Sequence, residues 1–165
     1  MASEHKPSAP DRGRPRKPPV APLPIGWREW IALPDLGIGP MKVKIDTGAR
    51  SAALHAIDIE TFVRDGADWV GFTVPASVGE HDSCHLCYAP IRDMRMVKNT
   101  SGIAEQRIVI HTRILLGRRH WTIDVTLANR DNMGFRMLLG RASLRRRNVT
   151  IHPGRSFLQG LPQAD

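Results

Sequence analysis

Apolar and polar residues alternate through Met41-Lys42-Val43-Lys44-Ile45, the period-two pattern of a strand with one face buried and the other in water. The same reading predicts a first strand over Trp27–Leu33, a turn-rich connection over Pro34–Pro40 and a second strand over Met41–Asp46. Asp65-Gly66 is a hairpin dipeptide, since both residues accept the positive φ of a tight two-residue turn, and the apolar stretch Trp69–Val74 follows it. Ile91–Lys98 and Ala104–Leu116 are two long strand candidates separated by Asn99-Thr100-Ser101-Gly102. Gly117–His120 then turns the chain into Trp121–Leu127. Met137-Leu138-Leu139 is a strand-like run stopped by Gly140, and late in the chain only Arg141–Arg147 reads as helix. The expected fold is mainly β, a barrel or sandwich of short strands with one short helix near the C-terminus. No segment repeats internally, which excludes two similar halves within one chain.

A length of 165 residues predicts one domain, large enough to bury a core without disulfides or a structural metal. Seven of the thirteen prolines fall between Pro7 and Pro24, among Arg12, Arg14, Arg16 and Lys17. Such a stretch has too little apolar surface to offset the entropy of ordering it. Residues 1–25 are therefore expected to be a disordered tail, 26–160 the folded domain and 161–165 a C-terminal tail. The leading segment lacks the apolar run and small-residue cleavage site of a signal peptide, and no apolar stretch approaches the ~20 residues of a membrane-spanning helix. A cytoplasmic protein with no membrane association is the expectation.

The formal net charge is +8, of which the first 25 residues carry +3. That surplus would attract acidic polypeptides and phosphates alike. Aromatic residues make up only 5%, leaving little for stacking on bases, which argues against nucleic acid as the partner. No Gly-rich loop ending in Lys and Ser or Thr is present, so no ATP site is expected, and no cofactor is called for. His81, Cys84, His85 and Cys87 lie close enough to suggest zinc. On a strand, however, His81, His85 and Cys87 share one face and Cys84 points away. With no second Cys pair and no His-Glu-x-x-His segment, no metal is expected, and the thiols are read as free and reduced.

Asp46 ends the second predicted strand and is followed by Thr47-Gly48-Ala49. A carboxylate on a tight turn at a strand end is held rigidly and can be presented to a substrate. Asp-Thr-Gly alone arises by chance in about one chain of thirty, so on its own it reads as an ordinary turn. Leu138-Leu139-Gly140-Arg141 is the feature that changes this reading. His55, at the end of an apolar run, reads as a residue serving the fold.

Together these motifs resemble the retroviral-type aspartic peptidases, in which one Asp-Thr-Gly and a later hydrophobic-hydrophobic-Gly motif before a short helix make up each subunit. The chain resembles more closely a bacterial retropepsin-like family once labelled an ATP-dependent zinc protease and associated with ATP-grasp glutamate ligases. The resemblance runs from about Trp27 to Leu158 through Lys44–Ala56, Gln106–Ile110, Asn129–Met133 and Met137–Leu144. It implies a closed β-barrel of the acid-protease fold, a homodimer, and an aspartic endopeptidase acting on a peptide or protein substrate.

In such enzymes two carboxylates share one proton: one activates water, and the other protonates the scissile carbonyl. Two negative charges ~3 Å apart repel by about 5 kcal/mol at an effective dielectric of 20, which keeps the pair singly protonated. With one Asp-Thr-Gly per chain, the second carboxylate must come from a second copy. The resemblance further implies that Thr47 bonds across the two-fold axis, that Gly48 and Ala49 shape the turn, and that Asn99-Thr100-Ser101-Gly102 forms the tip of a mobile flap. Retroviral enzymes pair the Arg of the Gly-Arg motif with an acidic residue shortly after the Ala. Here Arg50 and Ser51 stand there, leaving Asp131 or a carbonyl as partner for Arg141 and making the substrate edge at Arg50 basic, which suits an acidic peptide. A catalytically silent peptide-binding module on the same fold is the alternative, with a zinc-dependent peptidase, after the older label, as a second.

Overall fold

The computed structural model describes residues 19–76, 84–98, 101–130 and 134–164. Among the described residues there are ten strands: β1 (Leu23–Leu33), β2 (Ile38–Ile45), β3 (Ala52–His55), β4 (Ile57–Arg64), β5 (Ala67–Val74), β6 (His85–Lys98), β7 (Ala104–Leu116), β8 (Arg119–Ala128), β9 (Met137–Leu139) and β10 (Val149–Ser156). One short helix, α1 (Arg141–Leu144), follows β9, and a 3-10 turn over Pro34–Leu36 links β1 to β2. The protein is thus mainly β, as the alternation predicts. Among the described residues no helix is long and apolar enough to cross a membrane.

The strands pair in the order β10-β1-β2-β9-β3-β8-β7-β6-β5-β4, and Ala32 of β1 also pairs with Leu115 of β7, bringing the middle of the order back on itself. Alternation decides which side chains fill the interior. Met41, Val43 and Ile45 of β2 point inward while Lys42 and Lys44 are exposed, and Trp121, Ile123, Val125 and Leu127 do the same on β8. Asp65 and Gly66 turn β4 into β5 with φ of 50° and 75°, the left-handed pair that the dipeptide predicts. β4 ends the order; beside it the Arg64 guanidinium lies over the Trp69 ring, 4.4 Å from its centroid.

Several expected boundaries need correction. The fold begins at Leu23, not at residue 26, because Leu23, Pro24 and Ile25 pair in parallel with Val149, Thr150 and Ile151, and Ile25 is fully buried. Residues 161–164 are likewise no free tail: the Gln163 N–H donates to the Gly117 carbonyl at 2.9 Å. β3, β4 and β10 were not expected from the pattern, and β6 starts at His85, six residues ahead of the predicted Ile91. The helix stops at Leu144 and does not reach Arg147. Arg145 takes an extended ψ of 135° and Arg146 and Asn148 take positive φ, so that the chain reverses into β10.

Glu29 is a buried carboxylate that sequence reasoning missed. Its Oε1 accepts the Gly26 and Leu158 N–H groups at 2.7 and 2.9 Å, and its Oε2 accepts the Gln159 N–H at 3.3 Å. These bonds tie the C-terminal segment to β1, satisfying backbone donors that would otherwise be buried without partners.

Candidate active site

Asp46 is positioned from both sides. β2 pairs in parallel with β9, Val43 opposite Met137 and Ile45 opposite Leu139, and the Asp46 N–H continues the ladder to the Leu139 carbonyl at 2.9 Å. β9 pairs on its other edge with β3, so it lies between the strand that delivers Asp46 and the strand that leaves the turn. Leu139 is fully buried and Leu138 nearly so, which anchors the short strand. The turn then closes on the carboxylate. Asp46 Oδ1 accepts the Gly48 N–H at 3.0 Å and the Ala49 N–H at 3.2 Å, and the Ala49 N–H is shared with the Asp46 carbonyl at 3.2 Å. Among the described residues no hydrogen bond reaches Oδ2. One oxygen is spent on orientation, while the other is left for an incoming group. Thr47 and Gly48 are exposed beside it.

The second motif is packed directly against this turn. A Cβ on Gly140 would lie 2.5 Å from the Ser51 carbonyl oxygen and 2.7 Å from the Ser51 backbone nitrogen, so only glycine allows the approach. Arg141 and Ala142 donate their backbone N–H groups to the carbonyls of Ala49 and Arg50, both at 2.9 Å. The Arg141 side chain supplies a further bond, Nη1 to the Thr47 carbonyl at 2.7 Å. Among the described residues the partner of the Arg141 side chain is thus a carbonyl; Asp131, the other partner that the sequence leaves open, lies outside them. Asp46, Thr47, Gly48, Ala49, Leu138, Leu139, Gly140 and Arg141 therefore form one assembly.

Other expected residues fall elsewhere. Ser101 and Gly102 lie in the turn between β6 and β7, and Asn99 and Thr100 are outside the described residues. Arg50 lines a cavity next to the turn. His55 Nδ1 accepts the Arg130 N–H at 2.9 Å, a structural role. His81 lies outside the described residues, Cys84 is exposed and Cys87 is buried on β6. Burial pushes the Cys87 thiol up to about 11, and its Sγ contacts the Leu36 carbonyl at 3.6 Å.

The chain as a whole is similar to known proteins. The family described as retropepsin-like aspartic endopeptidase RimB matches over residues 24–162. A Desulfotalea psychrophila protein named probable alpha-L-glutamate ligase is 44% identical over 125 residues, which is 76% of this chain and 27% of that one. A Shewanella pealeana protein of the same name is 38% identical over 136 residues, 82% of this chain and 30% of that one. The chain thus spans between a quarter and a third of the length of these curated relatives. The crystal structure of a Legionella pneumophila protein of unknown function superposes with a TM-score of 0.70 at 28% identity, covering 83% of this chain and 98% of that one. The match spans nearly all of the folded part and includes both motifs of the candidate site, so the chain belongs to the RimB-like family of retropepsin-like aspartic endopeptidases.

Proposed function

We propose that this protein is an aspartic endopeptidase, a hydrolase that works as a homodimer. On this reading the ring of pairings from β1 through β2, β9, β3, β8 and β7 is the closed barrel of the acid-protease fold. The observation that carries it is the Asp46 cradle, with Oδ1 held by two backbone N–H groups and Oδ2 unengaged, on a turn that Gly140 and Arg141 hold in place. A general base must be rigid and must keep an oxygen for the water it activates, and this carboxylate does both. Asp46 of the partner subunit completes the pair. One carboxylate takes a proton from water as it attacks the scissile carbonyl, and the other gives its proton to the carbonyl oxygen. The exposed Thr47 and Gly48 are the surfaces through which the two turns meet.

The ligase name belongs to relatives three to four times as long as the matched region, so that activity is not carried over to this chain. The name supports a functional link with an ATP-grasp ligase. The test of the peptidase reading is Asp46→Asn, which is nearly isosteric but cannot serve as base. Cleavage of a peptide library should fall by at least about a thousandfold with the fold retained, a loss of general-base and dyad chemistry together. Wild-type cleavage by the variant, or loss of activity to a chelator, would sink the assignment.

A further inference from the structure

An open cavity of about 430 Å³ is lined by Arg118, Arg119, His120, Trp121, Arg146 and Arg147, with no carboxylate among them. Two chain reversals meet there. The turn from β7 into β8 carries Arg118 and Arg119, and the reversal between α1 and β10 carries Arg146 and Arg147. The guanidinium groups are held in place but not neutralised. Arg119 Nη1 donates to the Arg147 carbonyl at 3.2 Å, Arg118 Nε to Gln163 Oε1 at 3.2 Å, and Arg147 lies over the Trp121 ring, 5.8 Å from its centroid. Each of these partners is uncharged, and among the described residues none of the four arginines has an ion pair with a carboxylate. Arg146 takes a φ of 67°, which glycine would adopt without strain, yet the position carries a cation. Four like charges around one cavity repel, a cost that an arriving anion removes.

The leading segment joins the domain at the same place. Asn148, next to Arg147, donates its side-chain N–H to the Val20 carbonyl at 2.9 Å, and the Leu23 N–H donates to the Asn148 carbonyl at 2.8 Å. Lys6, Arg12, Arg14, Arg16 and Lys17 therefore precede a point that is fixed beside the arginine cavity. A basic arm joined to a basic platform suits a polyanion that extends well beyond one charged group. Trp121 is the one large aromatic in the lining, and it is only 8% exposed, so it is not available to stack on an unpaired base.

We propose that the arm and the cavity together bind a nucleic-acid duplex by its phosphate backbone, without reading its bases. The low aromatic content argues against stacking on bases, not against contact with a backbone. Planar guanidinium groups pair with phosphate oxygens through two parallel hydrogen bonds. A duplex presents its charges already fixed, one per ~1.7 Å of its axis, and releases counterions when they are neutralised. An acidic polypeptide must order each side chain to present the same charge. The surface is separate from the candidate active site: the first residues of α1 hold the Asp46 turn, while Arg146 and Arg147 lie past its other end. The bound duplex anchors the protein and is not its substrate, so the proposal does not rest on the peptidase reading.

The test is fluorescence anisotropy of a labelled RNA duplex of about sixteen base pairs, titrated with the full chain. Raising the salt from about 50 to about 200 mM should weaken binding at least about a hundredfold, as four or more phosphate contacts require. Arg118→Gln combined with Arg146→Gln should weaken binding at least about tenfold at the lower salt and flatten the salt dependence, through the loss of two such contacts. Both arginines are exposed, and Tm should hold. Arg14→Gln combined with Arg16→Gln, ahead of β1, should do the same and decides the matter if the first pair lowers Tm. Arg64→Gln removes an exposed charge on β4, at the end of the strand order, and should change affinity by less than about twofold. Duplex binding indifferent to either pair overturns the proposal, as does a loss on Arg64→Gln equal to theirs, which would reflect net charge alone. Tighter binding of single-stranded RNA of the same length overturns it too. Binding of a labelled Glu-rich peptide as tight as that of the duplex, with the same dependence on Arg118 and Arg146, overturns it in favour of an acidic polypeptide.

Discussion

Gly140 shows how little latitude the candidate site has. Its Cα faces the Ser51 backbone so closely that any Cβ must displace main chain, not a flexible side chain. Gly140→Ala should therefore destabilise the protein by about 2–4 kcal/mol, measured by urea denaturation, since overpacking against fixed backbone has no cheap relaxation. A cost under about 0.5 kcal/mol would mean that β9 and the Asp46 turn are not rigidly coupled. Cys87 offers an independent check. Burial raises its thiol from 9.0 to about 11, so in native protein at pH 8 a maleimide should label Cys84 and spare Cys87, with both labelled after denaturation. The sign for stability follows. The folded state holds this proton more tightly than the unfolded state, so the contribution is fully present below pH 9 and is lost as the pH rises towards 11.

At the scale of elements, the two motifs were legible as motifs, but their neighbours were not. Asp46 ends a strand whose alternation was plain, and Leu138-Leu139-Gly140 was an apolar run stopped by glycine. That β9 is a three-residue strand inserted between β2 and β3, parallel to one and antiparallel to the other, is a tertiary fact. The pattern predicts two long strands around Asn99-Thr100-Ser101-Gly102; both strands are present, β6 longer than expected, and Ser101 and Gly102 lie between them. The outer half of this hairpin leaves Met94, Met96 and Ile103 exposed at 42, 67 and 64%. Amides near Ser101 and Gly102 should exchange quickly in the free protein and slow when a peptide-like inhibitor is bound, while Val109–Leu116 stay protected throughout. Equal, strong protection of the tip in both states would make it a rigid turn. The shortened helix had a reason no local signal revealed: the chain must reverse at Arg146 to lay β10 beside β1.

For the whole molecule, the proposed activity demands two copies of one chain, since each carries a single Asp-Thr-Gly. Specific activity should fall on dilution and trace the dissociation curve found by sedimentation, because a monomer would hold only half of the carboxylate pair. A dilute monomer that stays fully active would rule out a shared dyad. Mixing wild-type with Asp46→Asn chains should lower activity beyond simple dilution, as mixed dimers form with one competent carboxylate.

The sequence by itself determined what local chemistry can encode. Period-two alternation made the protein β and assigned faces, Asp65-Gly66 made a hairpin, and the order Asp-Thr-Gly followed by Leu-Leu-Gly-Arg carried the family. Tertiary structure alone decided who pairs with whom. Alternation says which side chains turn inward, but not which strand lies alongside. So the parallel pairing of β1 with β10, the burial of Glu29 beneath Leu158 and Gln159, and the choice of the Thr47 carbonyl for Arg141 could not be read in advance. The cavity beside the Asp46 turn is of the same kind: its lining residues are scattered from Arg50 to Arg145 and meet only when the chain has closed around it.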